Sequence, residues 1–324
     1  MVGKVRLGDT LYPRQPDDSV LDALLAAGVE IPHSCKAGVC QSCLMQAVQG
    51  QPSDSAQAGL KSTYRARGYF LACRWYPETD VMVKLPSMDD SAVTATINRL
   101  EKVNHDVIRL FIRPTAPFAA TAGQYLTLLI PHGIARSYSI ANSPQREGAI
   151  ELHVRCVPHG QLSGWLREQA TIGDTVYLRG PAGECFYHAE ADRTFPMLLV
   201  GTATGLAPLF GIVRDALHQG HSGPIHLFHG VLHSRDLYLV ESLKRLSEEH
   251  ANFSYTPCVL HGEADGAYAC GDVQELALAA LIDKAATRVY LCGSPELVNT
   301  LKKKIFLAGV SLRHIFYDAF LPSQ

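Results

Sequence analysis

Cys35-Lys-Ala-Gly-Val-Cys40-Gln-Ser-Cys43 decides how this chain folds. Three cysteines sit four and then two residues apart, and a fourth, Cys73, follows after twenty-nine more. Two irons bridged by sulfides need four thiolates. A loop carrying three of them curls over one edge of such a cluster, and the fourth ligand arrives on a separate segment. Cys35, Cys40, Cys43 and Cys73 are therefore the candidate metal ligands. Ala37 and Gly38 keep the loop free of bulk. Its N–H groups can then turn toward sulfur and stabilise the added charge of the reduced state. Lys36 and Ser42 are expected to tune the same centre. Structural zinc is the competing occupant, but zinc ribbons favour paired C-x2-C knuckles and only one such pair is present.

Around this loop the pattern is that of a small mixed sheet. Val2–Leu7 alternates apolar and polar residues, Gly8-Asp9 turns, and a second strand runs to about Arg14. Asp18 or Ser19 opens a helix that buries Val20, Leu21, Leu24 and Leu25 and stops at Gly28. Leu44–Gly50 reads as a strand and 56–67 as a short helical and irregular piece. Tyr69–Cys73 reads as a strand delivering the last ligand, and Val81–Leu85 as a closing strand. The assembly resembles the β-grasp fold of plant-type [2Fe–2S] ferredoxins. Pro86–Ser91 has the polar, proline-led composition of a linker.

A chain of 324 residues exceeds what one core serves, so two or three domains are expected. Its 47% apolar content is that of a globular protein, and its net charge of −2 gives no pull toward nucleic acid or membrane. No apolar run reaches the ~18 residues of a spanning helix, and the N-terminus lacks a signal peptide's apolar region. Nine cysteines, five of them scattered, fit a reducing cytoplasm better than a disulfide framework. Nothing in the sequence requires more than a monomer.

From about Ala92 to His188 short strands follow one another: 95–103, 107–114, 124–131, 136–141, 149–157 and 175–179, with a helix over 163–169. This spacing predicts a small antiparallel barrel. Beyond Phe195, strands at 197–201, 225–230, 253–260, 288–292 and 312–317 alternate with helices near 206–219, 235–249, 272–282 and 295–308. Such alternation predicts a parallel sheet covered by helices. The expected division is 1–88, 92–190 and 195–324.

Each of the later segments carries a binding motif. Arg136-Ser137-Tyr138-Ser139 joins a cation, an aromatic ring and hydroxyls, which together can hold a phosphate and cover a flat ring. Gly160-Gln161-Leu162-Ser163 opens a helix, where free N–H groups suit a pyrophosphate. Gly201-Thr202-Ala203-Thr204-Gly205-Leu206-Ala207-Pro208 is a small-residue turn between strand and helix. Ala203 stands in it where glycine is more usual. Cys292-Gly293-Ser294-Pro295 lies at the carboxyl edge of the sheet, where ligands collect. His226, His229 and His233 are expected to serve structure or the nucleotide edge rather than a metal, because 226 and 229 fall on opposite strand faces. Cys156, Cys185, Cys258 and Cys270 read as small buried hydrophobes.

The order of these motifs resembles the ferredoxin–NAD(P) reductases that feed bacterial aromatic-ring dioxygenases and diiron monooxygenases, over essentially the whole chain. The resemblance implies a multidomain α+β and α/β fold: a β-grasp [2Fe–2S] ferredoxin, an antiparallel β-barrel FAD domain and a parallel-sheet NAD domain. By that resemblance Arg136 would bind the FAD pyrophosphate, Tyr138 would pack on the isoalloxazine and Ser139 would bond near its N5, with Ser137 between them. His153, Val154 and Arg155 would flank the adenine–ribityl side, and Gly160, Gln161, Leu162 and Ser163 the pyrophosphate. Gly201, Thr202, Thr204, Gly205 and Pro208 would shape the nicotinamide nucleotide site. Cys292, Gly293 and Pro295 would place the nicotinamide. Tyr317-Asp318-Ala319-Phe320 resembles the family's acidic-x-aromatic ending, with Phe320 covering the flavin, and the four residues after it have to swing clear. Ser139, Cys292 and Phe320 are the implied catalytic set.

Three such carriers convert electron pairs to singles, since NADH gives a hydride and a [2Fe–2S] cluster takes one electron at a time. NAD is expected over NADP, because Val259-Leu260-His261-Gly262-Glu263 after the third sheet strand brings no cation for a 2′-phosphate. Arg235 is the counter-indication. The expected acceptor is a terminal oxygenase, a monooxygenase or a ferredoxin. A cytochrome P450, a nucleotide-sugar deoxygenation enzyme and a flavin/iron–sulfur redox sensor are the other readings.

Overall fold

The computed structural model describes residues 3–320 except 34, 61, 87–91, 132, 189–190 and 263–265. Most of the expected linker therefore lies outside the described residues, as do Glu263 and the four residues after Phe320.

The first sheet begins with β1 (Val5–Leu7) and β2 (Thr10–Tyr12), an antiparallel hairpin. Helix α1 (Val20–Ala26) starts where the Ser19 hydroxyl accepts the Asp22 N–H and the Asp22 carboxylate accepts the Ser19 N–H, satisfying two exposed donors reciprocally. It buries Val20, Leu21 and Leu24 in a core shared with Phe70 and Trp75. Strands β3 (Leu44–Gln49), β4 (Tyr69–Leu71) and β5 (Val81–Lys84) complete the order β2-β1-β5-β3-β4, with β1 and β5 parallel and the short helix α2 (Ser62–Ala66) leading into β4. Cys73 was expected on a strand. The strand ends at Leu71 instead, and Cys73 sits in a 3-10 turn, Ala72–Arg74. The Ala72 N–H still reaches the Cys43 carbonyl, at 3.0 Å, so the chain bends away only after it has been pinned beside its fellow ligand.

The second sheet is antiparallel throughout: β6 (Val93–Lys102), β7 (Val107–Pro114), β8 (Tyr125–Leu129), β9 (Ala135–Ser139), β10 (Ile150–Arg155) and β11 (Thr175–Ala182). Its order is β10-β7-β6-β11-β8-β9, and an Ile140–Leu152 bridge brings the two edges together, curling it toward a barrel. Between β9 and β10 lies the single turn α3 (Pro144–Glu147), and α4 (Gln161–Glu168) packs Leu162 and Leu166 into the barrel core.

The third sheet is parallel: β12 (Met197–Thr202), β13 (Ile225–Val231), β14 (Phe253–Val259), β15 (Ala269–Cys270), β16 (Arg288–Gly293) and β17 (Ile315–Ala319), in the order β15-β14-β13-β12-β16-β17. Helices α5 (Leu206–His218), α6 (Val240–Glu249), α7 (Val273–Ala279) and α8 (Pro295–Leu307) connect its strands. The helix expected from 235 begins at Val240, after a 3-10 turn at Ser234–Asp236. Strand β15 was not foreseen, since two residues carry no periodicity, and Cys270 is exposed on it rather than buried. Among the described residues no helix is long and apolar enough to cross a membrane.

Candidate functional site

The cysteine loop is wound tightly: Lys36, Gly38 and Gln41 have φ of 48°, 80° and 57°. Side chains could hardly be larger at Gly38, where a Cβ would meet Arg74 Cγ at 2.7 Å. The winding turns amides inward. Ala37 N–H and Cys40 N–H donate to Cys35 Sγ at 3.3 and 3.4 Å, and the Gly38 amide reaches the Cys73 sulfur. All four cysteines are buried, and they come as two pairs, Cys35 with Cys40 and Cys43 with Cys73. In each pair the neighbouring thiol shifts the protonation of the other. This draws Cys35 down to about 5 and Cys73 below the usual thiol range, while Cys40 and Cys43 are pushed up. Two pairs suit two irons. The buried Ser42 hydroxyl is turned to the Cys40 sulfur, one of the candidate ligands, and makes no other hydrogen bond among the described residues. Lys36, by contrast, is engaged by Asp22 at 3.3 Å.

This loop lies on the barrel, against the strands that carry the Arg-Ser-Tyr-Ser motif. Thr127 Oγ1 and Ser137 Oγ both donate to the Cys40 carbonyl, at 2.6 and 3.1 Å. Tyr125 OH donates to the Val39 carbonyl at 2.9 Å. Thr127 faces Ser137 across β8 and β9, and Tyr125 faces Ser139, so alternation puts all four on one sheet face. Ser139 Oγ in turn donates to Asp318 Oδ2 at 2.7 Å. Burial raises the Asp318 carboxyl above its ordinary range, and the Ser139 bond opposes that rise.

The turn after β12 meets the end of β16. A Cβ on Gly205 would lie 2.3 Å from the Cys292 carbonyl oxygen, and one on Gly293 would lie 2.5 Å from Thr202 Oγ1. These two glycines allow the two motifs to touch. Phe320 N–H donates to the Gly293 carbonyl at 2.8 Å, which fixes the end of β17 beside them. Ser294 caps α8, whose first turn carries Pro295. A cleft of about 320 Å³ opens at this carboxyl edge, lined by Thr202, Ala203, Gly230, Asp236, Asp272 and Glu296 among others. An open parallel sheet binds dinucleotides at such an edge.

Residues 8–78 match the 2Fe-2S iron-sulfur cluster binding domain family, residues 94–187 the oxidoreductase FAD-binding domain family and residues 199–303 the oxidoreductase NAD-binding domain family. The ferredoxin–NAD(P)(+) reductase component of a naphthalene 1,2-dioxygenase system from Pseudomonas putida is 31% identical, and the match covers 98% of each chain. The chain belongs to the ferredoxin–NAD(P) reductase family. The reductase subunit of an aromatic O-demethylase from Amycolatopsis is 34% identical to this reductase over 100% of each chain. The crystal structure of the Amycolatopsis cytochrome P450 reductase GcoB superposes with a TM-score of 0.71 at 32% identity, covering 99% of the reductase and 100% of the other chain. The reductase is thus an NAD(P)H oxidoreductase with [2Fe–2S], FAD and NAD domains.

The candidate flavin residues of the reductase are not all turned one way. Tyr138 is half-buried on the barrel core, and Arg136 Nη1 donates to the His33 and Ala135 carbonyls. The His153 ring is held between Glu151 and Tyr238, the side chains of Val154 and Leu162 fill the barrel core, and Arg155 pairs with Asp106. Gly160 is required by space, since a Cβ there would meet Ser163 Oγ at 2.3 Å, and Ser163 Oγ accepts the Val157 N–H. The α4 N-terminus beside Gln161 leaves its first amides for an anion. Pro208 is buried in the first turn of α5, and Gly201 packs against Gly205 and Leu209. Sequence reasoning assigned no role to Thr127, and none to Asp318 beyond its place in the C-terminal motif. The apolar-polar alternation of Tyr125-Leu-Thr127-Leu was the available signal for Thr127.

Proposed function

We propose that this reductase takes electrons from NADH and delivers them singly from its cluster to a terminal oxygenase, a monooxygenase or its ferredoxin. FAD held by the barrel would supply the conversion of a hydride into single electrons that the cluster needs. The observation that carries the reading is the pair of barrel hydroxyls on the Cys40 carbonyl. Ser137, one of the pair, stands only two residues, about 7 Å of strand, from Ser139. Cys292 and Gly293 place the nicotinamide, Ser139 with Asp318 orients the flavin edge, and Phe320 covers it. Arg136 and the α4 N-terminus hold the pyrophosphate of FAD. The ligand set is Cys35, Cys40, Cys43 and Cys73.

NADH is the donor rather than NADPH. Asp236, Asp272 and Glu296 line the nucleotide cleft, and the lining Arg155 is committed to Asp106 at 2.8 Å. Arg235 points into solvent, 75% exposed, beside Asp236. The protein works as a cytoplasmic monomer of three domains, 1–88, 92–190 and 195–324.

A second reading makes the acceptor a cytochrome P450, and the Amycolatopsis P450 reductase supports it. Reduction of cytochrome c by NADH tests the shared route. The parent protein is expected to turn over rapidly, and Cys73→Ser to lose cytochrome c reduction while retaining ferricyanide reduction. A Cys73→Ser protein without its cluster that still reduces cytochrome c well would refute the route, and slow turnover by the parent would favour a redox sensor.

A further inference from the structure

Ala203 has a φ of 48°, in the left-handed region that L side chains rarely adopt. It sits between Thr202, which is extended at φ −116°, and Gly205, which presses on Cys292. Something has to hold a non-glycine residue there. His229 lies on the neighbouring strand β13, where it pairs with Gly201, and its side chain is fully buried. Its Nε2 is 3.0 Å from the Ala203 carbonyl oxygen. A carbonyl only accepts, so Nε2 carries the hydrogen and Nδ1 is left to accept from Tyr255 OH, 3.4 Å away. Burial keeps the ring neutral by drawing its pKa down to about 4. The Tyr238 ring closes the other side edge-on, at 5.5 Å.

We propose that His229 is a positioning residue for the dinucleotide: its Nε2–H holds the Ala203 carbonyl inward. The following peptide is planar and trans, so a carbonyl held inward turns the Thr204 N–H outward. Rotation of that one peptide would exchange the two, presenting an oxygen to the pyrophosphate where a donor is needed. A glycine in the turn would adopt the left-handed state without support. With alanine there, the histidine and the Leu206 N–H, which also donates to the Ala203 carbonyl, together keep the peptide in place. The inference rests on the reductase reading only in naming NAD as the ligand.

The test compares His229→Ala and His229→Gln in the full-length holoenzyme, since glutamine places an amide donor near the position of Nε2. His229→Ala is expected to raise KM for NADH about tenfold, the effect of one ordinary hydrogen bond. Calorimetric binding of NAD+ should weaken by the same factor, while kcat with ferricyanide and the FAD and iron contents stay near parent values. His229→Gln should recover most of the loss. A KM and an NAD+ affinity within twofold of the parent in His229→Ala would overturn the proposal, and so would failure of His229→Gln to recover either. Should neither variant fold, Tyr255→Phe decides. Removing the hydroxyl that orients the ring is expected to raise KM for NADH about threefold, and an unchanged KM would reject the role. A parent that does not oxidise NADH at all would instead count against the reductase reading.

Discussion

The Ser139 hydroxyl donates to the Asp318 carboxylate at 2.7 Å, tying barrel strand β9 to the last strand of the parallel sheet. Burial raises the Asp318 carboxyl above its ordinary 3.8, so at pH just above 3.8 the folded protein binds more of this proton than the unfolded chain does. With more protons bound to the folded state, stability must fall as pH rises from 3.8 toward the raised value. Asp318→Asn removes that titration. Unfolding midpoints of the Asn variant should lie above the parent's at neutral pH and converge with them in acid. Parallel pH curves for the two proteins would show that Asp318 titrates normally.

Ser139, which bonds this carboxyl, is the residue proposed to orient the flavin edge. Ser139→Ala is expected to slow flavin bleaching by NADH about tenfold, the worth of one lost hydrogen bond, with FAD content retained. Rapid-mixing absorbance resolves that step from later ones. Unaltered bleaching would remove Ser139 from the hydride path.

Thr127 is 2% exposed, and its hydroxyl makes the shorter of the two bonds to the Cys40 carbonyl. Thr127→Val keeps the shape and removes the donor, leaving Ser137 alone on that oxygen. Cytochrome c reduction is expected to drop several-fold while ferricyanide reduction, which needs only flavin, holds. Thr127→Ser should restore it. An equal drop in both assays would mean general damage rather than a loosened cluster loop.

Much of this was legible from residue spacing. Cysteines at 35, 40, 43 and 73 announce a cluster because two irons need four thiolates in a set arrangement. Helix α1 was legible because an N-cap at Asp18 or Ser19 precedes the apolar face of Val20, Leu21, Leu24 and Leu25, and Ser19 proves to be the cap. What lay hidden depends on side-chain direction. His153 belongs to a motif strand, yet the pleat that puts Val154 in the barrel core turns its ring to Glu151 and Tyr238. The partnership of Thr127 with Cys40 joins residues 87 apart in sequence and rests on how two domains meet, which no local pattern encodes.

Selectivity for the nucleotide follows from the charges lining the cleft. A 2′-phosphate would approach Asp236 and Asp272, and carboxylates repel it. The ratio kcat/KM is expected to favour NADH over NADPH at least tenfold, measured side by side at one ionic strength. Equal values would assign Arg235 to the phosphate.

Glu151 joins the barrel to the parallel-sheet domain. It is 1% exposed and meets Arg109 at 2.7 Å, His153 at 2.9 Å and Arg214 of α5 at 3.5 Å. Burial alone would raise its carboxyl, but His153 and Arg109 more than offset that and hold it below the ordinary 4.5. A depressed carboxylate stabilises the fold above 4.5, and that contribution is lost as pH falls through the lowered value. Glu151→Ala leaves Arg109 and His153 facing a buried void, and breaking a buried pair from one side costs roughly 3–5 kcal/mol. Arg214 is 31% exposed and adds little to this sum because solvent screens it. Urea unfolding at pH 7 should show that loss, and the gap between variant and parent should narrow as pH falls through the lowered value. A midpoint close to the parent's would mean that the arginines find water when the carboxylate is gone, and that the two domains are held together by their apolar contacts.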